Sequence, residues 1–486
     1  MRKKIKKYLL CLLTGLMALA APLTVSAEGT SNYTVTSVYG NKKAPVAYEV
    51  EKVYHSTDIE GVDNLDSLTS MFVRNDLIYV ATGQAILVLD FDFNLKHVLS
   101  SYKDVNGSDA SISNPAGIYV TEEGTLYVCE PDKSHVLIFD RDYNLLQNYG
   151  MPEGLDLSVA YKPTQIVVDS LDRIYIIATN IYEGILEVSS DNKFQRYFGT
   201  TTISVSPIDL FFRMIASEEQ RSGQSLLLPT EYTSMTISDR GFIYSTIRST
   251  EVENPIRLLN VNGDDIMPEN WQGMEPQGDV NYTLVGEAAG PSSLSYIDCN
   301  DYGMYMVLDV LRNRIFTYDQ SSNILFVFGG SGDKDGCFRT PVSVRWMGES
   351  NKVLVADSLS RSITVMRPTN YAAAIFEAVK LEAEGDRESA VEYWRQALAM
   401  NNNCTVAKDA IGRELYWEGD YKGAERYLKD IYRTDYYSMA FEKTREEFIR
   451  AYAPAGVVIL AVLIVAVKVL RRVRSNRKGG NGYAKG

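Results

Sequence analysis

Residues 114–150 read NPAGIYVTEEGTLYVCEPDKSHVLIFDRDYNLLQNYG. The stretch holds four short runs, GIYVT, TLYVCE, HVLIFD and LLQNYG, in which apolar and polar residues alternate. Alternation sends successive side chains to opposite faces, the period of a β-strand. Between the runs stand Glu122-Glu123-Gly124, Pro131-Asp132-Lys133-Ser134 and Arg141-Asp142-Tyr143-Asn144, all rich in residues that turn the chain. Four strands and three tight turns predict an antiparallel meander. One such sheet cannot cover its own two faces, so it must stack against copies of itself.

The copies are present. Pro115 leads to Leu126-Tyr127-Val128 and Pro163 to Ile174-Tyr175-Ile176, twelve residues from Pro to Tyr in both. Pro229 leads to Ile243-Tyr244, Pro291 to Met304-Tyr305-Met306 and Pro341 to Val353-Leu354-Val355. An earlier copy keeps Leu77-Ile78-Tyr79-Val80 without the Pro. The fourth run closes on Tyr149-Gly150, Phe198-Gly199 and Phe328-Gly329. Six units spaced by about 50 residues, lengthened after Gly199 and Val261, predict a mainly β fold, a six-bladed β-propeller over residues 46–367. The last unit stops at Met366 after its third strand. Residues 46–54 are therefore expected to supply the missing outer strand and close the ring.

The repeat resembles the NHL repeat: Pro, then Gly-x-Leu-Tyr-Val, then an acid with a base five residues on, then Phe-Asp and a closing aromatic-Gly. Glu130 with His135 and Asp309 with Arg314 keep the acid-to-base spacing, and Asp357 keeps the acid with Ser362 at the base position. The resemblance implies that these residues tie the turn between the second and third strands. It implies a fold and no particular activity, because propellers host binders and enzymes alike.

Past Pro368 the period changes to that of helices, over residues 370–452. Glu384-Gly385-Asp386 recurs as Glu418-Gly419-Asp420 thirty-four residues later, and Ala390, Trp394 and Ala397 recur as Ala424, Leu428 and Ile431. That period, with Ile411-Gly412 and Leu415 before the second Gly-Asp and Asn402 where Pro is usual, resembles tetratricopeptide (TPR) repeats. The resemblance implies that Gly385-Asp386 and Gly419-Asp420 turn the chain within each helix pair. It also implies an inner groove for an extended peptide. Arg413, Tyr416 and Trp417 would face that groove, or Tyr416 and Trp417 would pack against the propeller or the third helix. Residues 438–452 are expected to add a third amphipathic helix that caps the stack and runs toward Pro454.

Both ends read as address and anchor. Residues 1–27 place Arg2, Lys3, Lys4, Lys6 and Lys7 before an apolar run and finish on Val25-Ser26-Ala27, the pattern of a secretory signal peptide. Residues 28–45 follow as a linker. Residues 453–470 read APAGVVILAVLIVAVKVL. As a helix they span about 27 Å against a hydrocarbon core of about 30 Å, a deficit that Lys468 recovers by snorkelling. The basic tail of residues 471–486 marks the cytoplasmic side. The expectation is a single-pass protein of the cell membrane with its body outside the cell. Setting aside five basic residues before Ala27 and seven from Lys468 onward leaves 49 − 12 = 37 bases against 62 acids. A body at −25 repels phosphate backbones, which argues against nucleic acid as a partner.

Cys129, Cys299, Cys337 and Cys404 lie in different units without C-x-x-C spacing, so neither a zinc site nor a disulfide framework is indicated. His55, His97 and His135 are scattered, and no H-E-x-x-H, G-x-S-x-G, Walker or dinucleotide motif occurs. The Asp-rich stretches 104–109 and 332–336 do not reach the Glu of a calcium loop. The sequence nominates no catalytic residue, metal ligand or cofactor. Two readings stay open. One is a membrane-anchored extracellular binding or scaffold protein that holds a protein partner, such as a neighbouring membrane complex. The other is a propeller hydrolase or lyase, lactonase-like, acting on carbohydrate-related small molecules. The second needs acids on the innermost strands, where residues 118–121, 166–169 and 235–238 offer only Asp169. The insertions after Gly199 and Val261 are the places to look for a site.

Overall fold

The computed structural model describes residues 33–36, 40–156, 159–200, 231–247, 254–279 and 288–479. The expected signal peptide, residues 201–230 of the first insertion and residues 480–486 of the tail lie outside the described residues. The quoted repeat forms one blade, Gly117–Val120, Leu126–Glu130, His135–Phe139 and Leu145–Tyr149, each strand antiparallel to the next. The other blades start on the innermost strands Ser70–Arg74, Pro163–Val168, Tyr232–Ile237, Leu294–Cys299 and Pro341–Met347. They make a six-bladed β-propeller. Blade four shows three strands among the described residues.

The ring closes with the N-terminal strand. Tyr48–Tyr54 pairs antiparallel with Ser362–Pro368, Tyr54 opposite Ile363 and Tyr48 opposite Pro368, and so completes blade six. This joins the two ends of the ring through a backbone ladder and leaves neither end as an open seam.

The last hairpin of several blades uses one turn. Asp140 Oδ1 accepts from the amides of Asp142 (2.9 Å) and Asn144 (2.8 Å), and Tyr143 stands at φ 62°. The pattern repeats at Asp90 with Phe93 at φ 64° and at Asp319 with Ser322 at φ 59°. A β-turn followed by a left-handed residue brings a bulge, seen here as the register shift between Ile138 and Phe139. Between blades lie rows of fully buried Leu126, Val128 and Phe139, each worth about 1.5–3 kcal/mol relative to exposure. Innermost strands approach closely at Gly117, where a Cβ would stand 2.5 Å from the Thr164 carbonyl oxygen. Only glycine fits there. At the mouth where the innermost strands begin, Thr69, Ala116, Thr164, Thr233, Ser295 and Val342, one from each blade, surround a cavity of about 420 Å³.

Five helices follow: α1 (Asn370–Glu384), α2 (Arg387–Met400), α3 (Thr405–Glu418), α4 (Tyr421–Asp430) and α5 (Thr434–Gly479). Gly385 and Gly419 end α1 and α3 in the left-handed region, at φ 90° and 89°. The next residue then caps the following helix: Asp386 accepts from the Ser389 amide (3.1 Å) and Asp420 from the Gly423 amide (3.0 Å). Glycine carries the reversal without a Cβ clash and aspartate satisfies an orphan amide, which explains the repeated pair. Phe376 of α1 fixes the helices to the propeller by packing on Trp346 (5.3 Å), Phe326 (5.7 Å) and Tyr48 (6.3 Å). Helix α5 runs through Pro454 as one element. Its apolar stretch is long enough to cross a membrane, and no described part of the chain covers it: Val457 is 67 % exposed and Leu463 55 %.

Candidate binding cleft

Where the helices meet the propeller there is a cleft of about 360 Å³. Its floor is the turn of residues 319–323 in blade five, one side is Glu269, Asn270 and Trp271 in the insertion after Val261, and the roof comes from α1, α2 and α3. Asp409 of α3 is buried between two guanidinium groups, with Arg413 Nε at 2.9 Å and Arg433 Nε at 3.0 Å. Neither Nε–H is aligned on an acceptor, so the pairs attract by charge more than by directed hydrogen bonds. Arg413 also lies 3.9 Å from Glu382, which accepts from the Trp394 indole at 3.1 Å. Arg433 stacks over Trp271 (5.7 Å) and Tyr436 (5.5 Å). The network thus ties α1, α2, α3 and the start of α5 to the propeller insertion.

Burial raises three carboxyls of this cleft. Asp409 is pushed up by desolvation in spite of Arg413 and Arg433, and Glu382 likewise in spite of Arg413 and the Trp394 indole. Desolvation also raises Asp319, against the hydrogen bonds of Asn323 and Ser321 in its own turn. The cleft can therefore take a partner's cationic or hydrogen-bonding groups against carboxylates that already lack full solvation.

Of the residues singled out from the sequence, Arg413 and Trp417 line this cleft, and Trp417 is 61 % exposed at its rim. Tyr416 stands outside it, edge-on to Trp417 and Tyr436 and tilted against Tyr421. The repeat acids lie elsewhere. Glu130 stands opposite His135, whose Nε2 is 2.5 Å from its carboxylate, and accepts from the Ser113 amide. Asp309 stands opposite Arg314 and accepts from the amides of Ser293 and Leu311 (both 3.0 Å). Arg314 reaches Asp279 at 2.8 Å. Asp357, opposite Ser362, accepts from the amides of Arg339 (2.6 Å) and Thr340 (3.2 Å). In all three blades the acid at the end of the second strand thus holds the backbone that enters the first. Asp169 is taken up by Arg173 (2.7 Å) and by the amides of its own turn.

Sequence reading missed the buried pair Arg345–Asp298, 2.8 Å apart, in which Arg345 also donates to the Met71 carbonyl and Asp298 accepts from the Trp346 amide. Its signal was a charge inside an otherwise apolar innermost strand, in blades five and six. Cys129 and Cys404 are buried thiols, and no described cysteine is paired.

No protein-family model and no curated protein matches the chain. Among solved structures it is similar to a streptogramin B lyase at 11% identity and TM-score 0.39, over 65% of this chain and 98% of that one. It is also similar to virginiamycin B lyase from Staphylococcus aureus, at 11% identity and TM-score 0.40 over the same shares. A third likeness is the β-propeller domain of Cps50 (Swd1) from Myceliophteria thermophila, at 8% identity and TM-score 0.38, over 66% of this chain and 100% of that one. The likeness is one of architecture and assigns no chemistry.

Proposed function

We propose that this chain is a single-pass membrane protein that holds a protein partner outside the cell, in the cleft between its NHL-like propeller and its TPR-like helices. The observation that carries the reading is the cleft itself: an ionic recess that exists only where the two modules meet, with an exposed tryptophan at its rim. Arg433 in its wall directly precedes α5, which continues into the apolar segment. The apolar segment begins at Ala453, about 20 residues or about 30 Å of helix beyond Arg433, so a partner that projects from the bilayer, such as an extracellular domain of a neighbouring membrane complex, suits it. On this reading residues 1–27 direct export and the basic residues after Leu470 stay in the cytoplasm. Lysine-directed crosslinking of intact cells, followed by purification of the full chain and mass spectrometry, tests the reading. The expected result is a recurrent membrane-protein neighbour joined through the helices. Recovery of the chain alone, or of neighbours joined only through far blades, overturns it.

A further inference from the structure

The other mouth of the propeller channel, where the innermost strands end, holds a cavity of about 280 Å³ that neither the cleft nor the repeat accounts for. Phe72 and Tyr119 wall it, both buried, with ring centroids 5.1 Å apart. Asp239 and Asp301, from the adjacent turns of blades four and five, line its rim together with Glu349. Trp346 also lines it, at 7% exposure, and its indole N–H, itself buried, has no acceptor among the described residues. The Nε of Arg74, another lining residue, is in the same condition. A buried donor left unmade costs about 1–3 kcal/mol, so two of them at one cavity point to an absent acceptor.

We propose that this mouth is a binding site for a neutral polyhydroxylated ligand of monosaccharide size. The occupant must donate to the rim carboxylates and accept from the Trp346 and Arg74 N–H groups. A hydroxyl group does both. A divalent cation would satisfy the carboxylates and leave both donors orphaned, and an anion would face Asp76, Asp239, Asp301 and Glu349. Arg345 offers an anion little, because Asp298 already neutralises it at 2.8 Å. The aromatic walls suit the C–H face of a sugar ring. The volume sits just under the ~300 Å³ at which pockets for drug-sized ligands begin.

The test is isothermal titration of the full chain, in a detergent without sugar headgroups, with D-glucose, D-galactose and myo-inositol, and with calcium chloride as a separate arm. At least one polyol should bind with a Kd of about 1 mM or tighter. Trp346→Phe, which keeps the ring against Phe376 and removes the N–H, and Asp301→Asn should each weaken it by about tenfold, the worth of one hydrogen bond. No heat from any polyol, binding unchanged in both variants, or binding of calcium alone overturns the proposal.

Discussion

Glu130, Asp309 and Asp357 show how one residue position organises a blade. Burial alone would raise the Glu130 carboxyl, but His135, the Ser113 amide and Lys133 outweigh it and hold the group below its usual range. An acid depressed in the folded state stabilises the fold above its unfolded pKa, and that contribution drains away as pH falls through the folded value. Glu130→Gln should therefore cost about 1.5–3 kcal/mol at pH 7, read by denaturant unfolding, with the gap to the parent shrinking below about pH 4. Asp301 has the opposite sign. Burial first, and the hydrogen bond shared with Asp239 second, raise it to about 6. Its folded state binds the proton more tightly, so stability is lost as pH rises from about 4, the unfolded value, to about 6. Asp301→Asn should raise the melting temperature at pH 7.5 and change little at pH 4. A variant less stable than the parent at pH 7.5 would contradict this reading.

At the level of elements, the sequence showed most where the signal is local. Alternation between Gly117 and Tyr149 placed the strands, and Gly385-Asp386 and Gly419-Asp420 placed the helix reversals, because cap and turn chemistry acts within four residues. The cleft was legible only in part. Arg413 and Trp417 could be named from a repeat register, but the Glu382, Asp319 and Trp271 that line the same cleft are brought there by how the helices dock, which no short-range pattern encodes. Gly419→Val should cost about 1–2 kcal/mol by forcing a β-branched residue to φ 89°, and should unfold α3 and α4 before the propeller in hydrogen exchange. Asp409→Ala leaves Arg413 and Arg433 without their shared carboxylate. It should destabilise the helices by about 2–3 kcal/mol, somewhat less than a fully buried pair because Arg413 keeps partial contact with water.

The molecule as a whole is a ring sealed by its own N-terminal strand, with a helical module clamped to the seal and leading into a helix long and apolar enough to cross a membrane. Tyr48 sits at the junction: its hydroxyl donates to the Asn351 carbonyl (2.7 Å) and its ring meets Phe328 at 4.4 Å. Deleting residues 46–54 should open blade six, expose Ile363 and Val365, and replace one cooperative unfolding transition by two, as followed by calorimetry. The closing strand could be foreseen by counting, since the sixth unit lacked its outer strand. The channel-mouth cavity could not, because its walls come from five blades spread over residues 72–349. The partner proposed above is held in the cleft between the propeller and the helices. The most direct measurement places a photocrosslinking amino acid at Trp417, and in a control at Leu171 on blade three, then irradiates intact cells. One discrete adduct is expected from position 417 and none from 171; adducts from both positions alike, or from neither, would rule out a partner in the cleft.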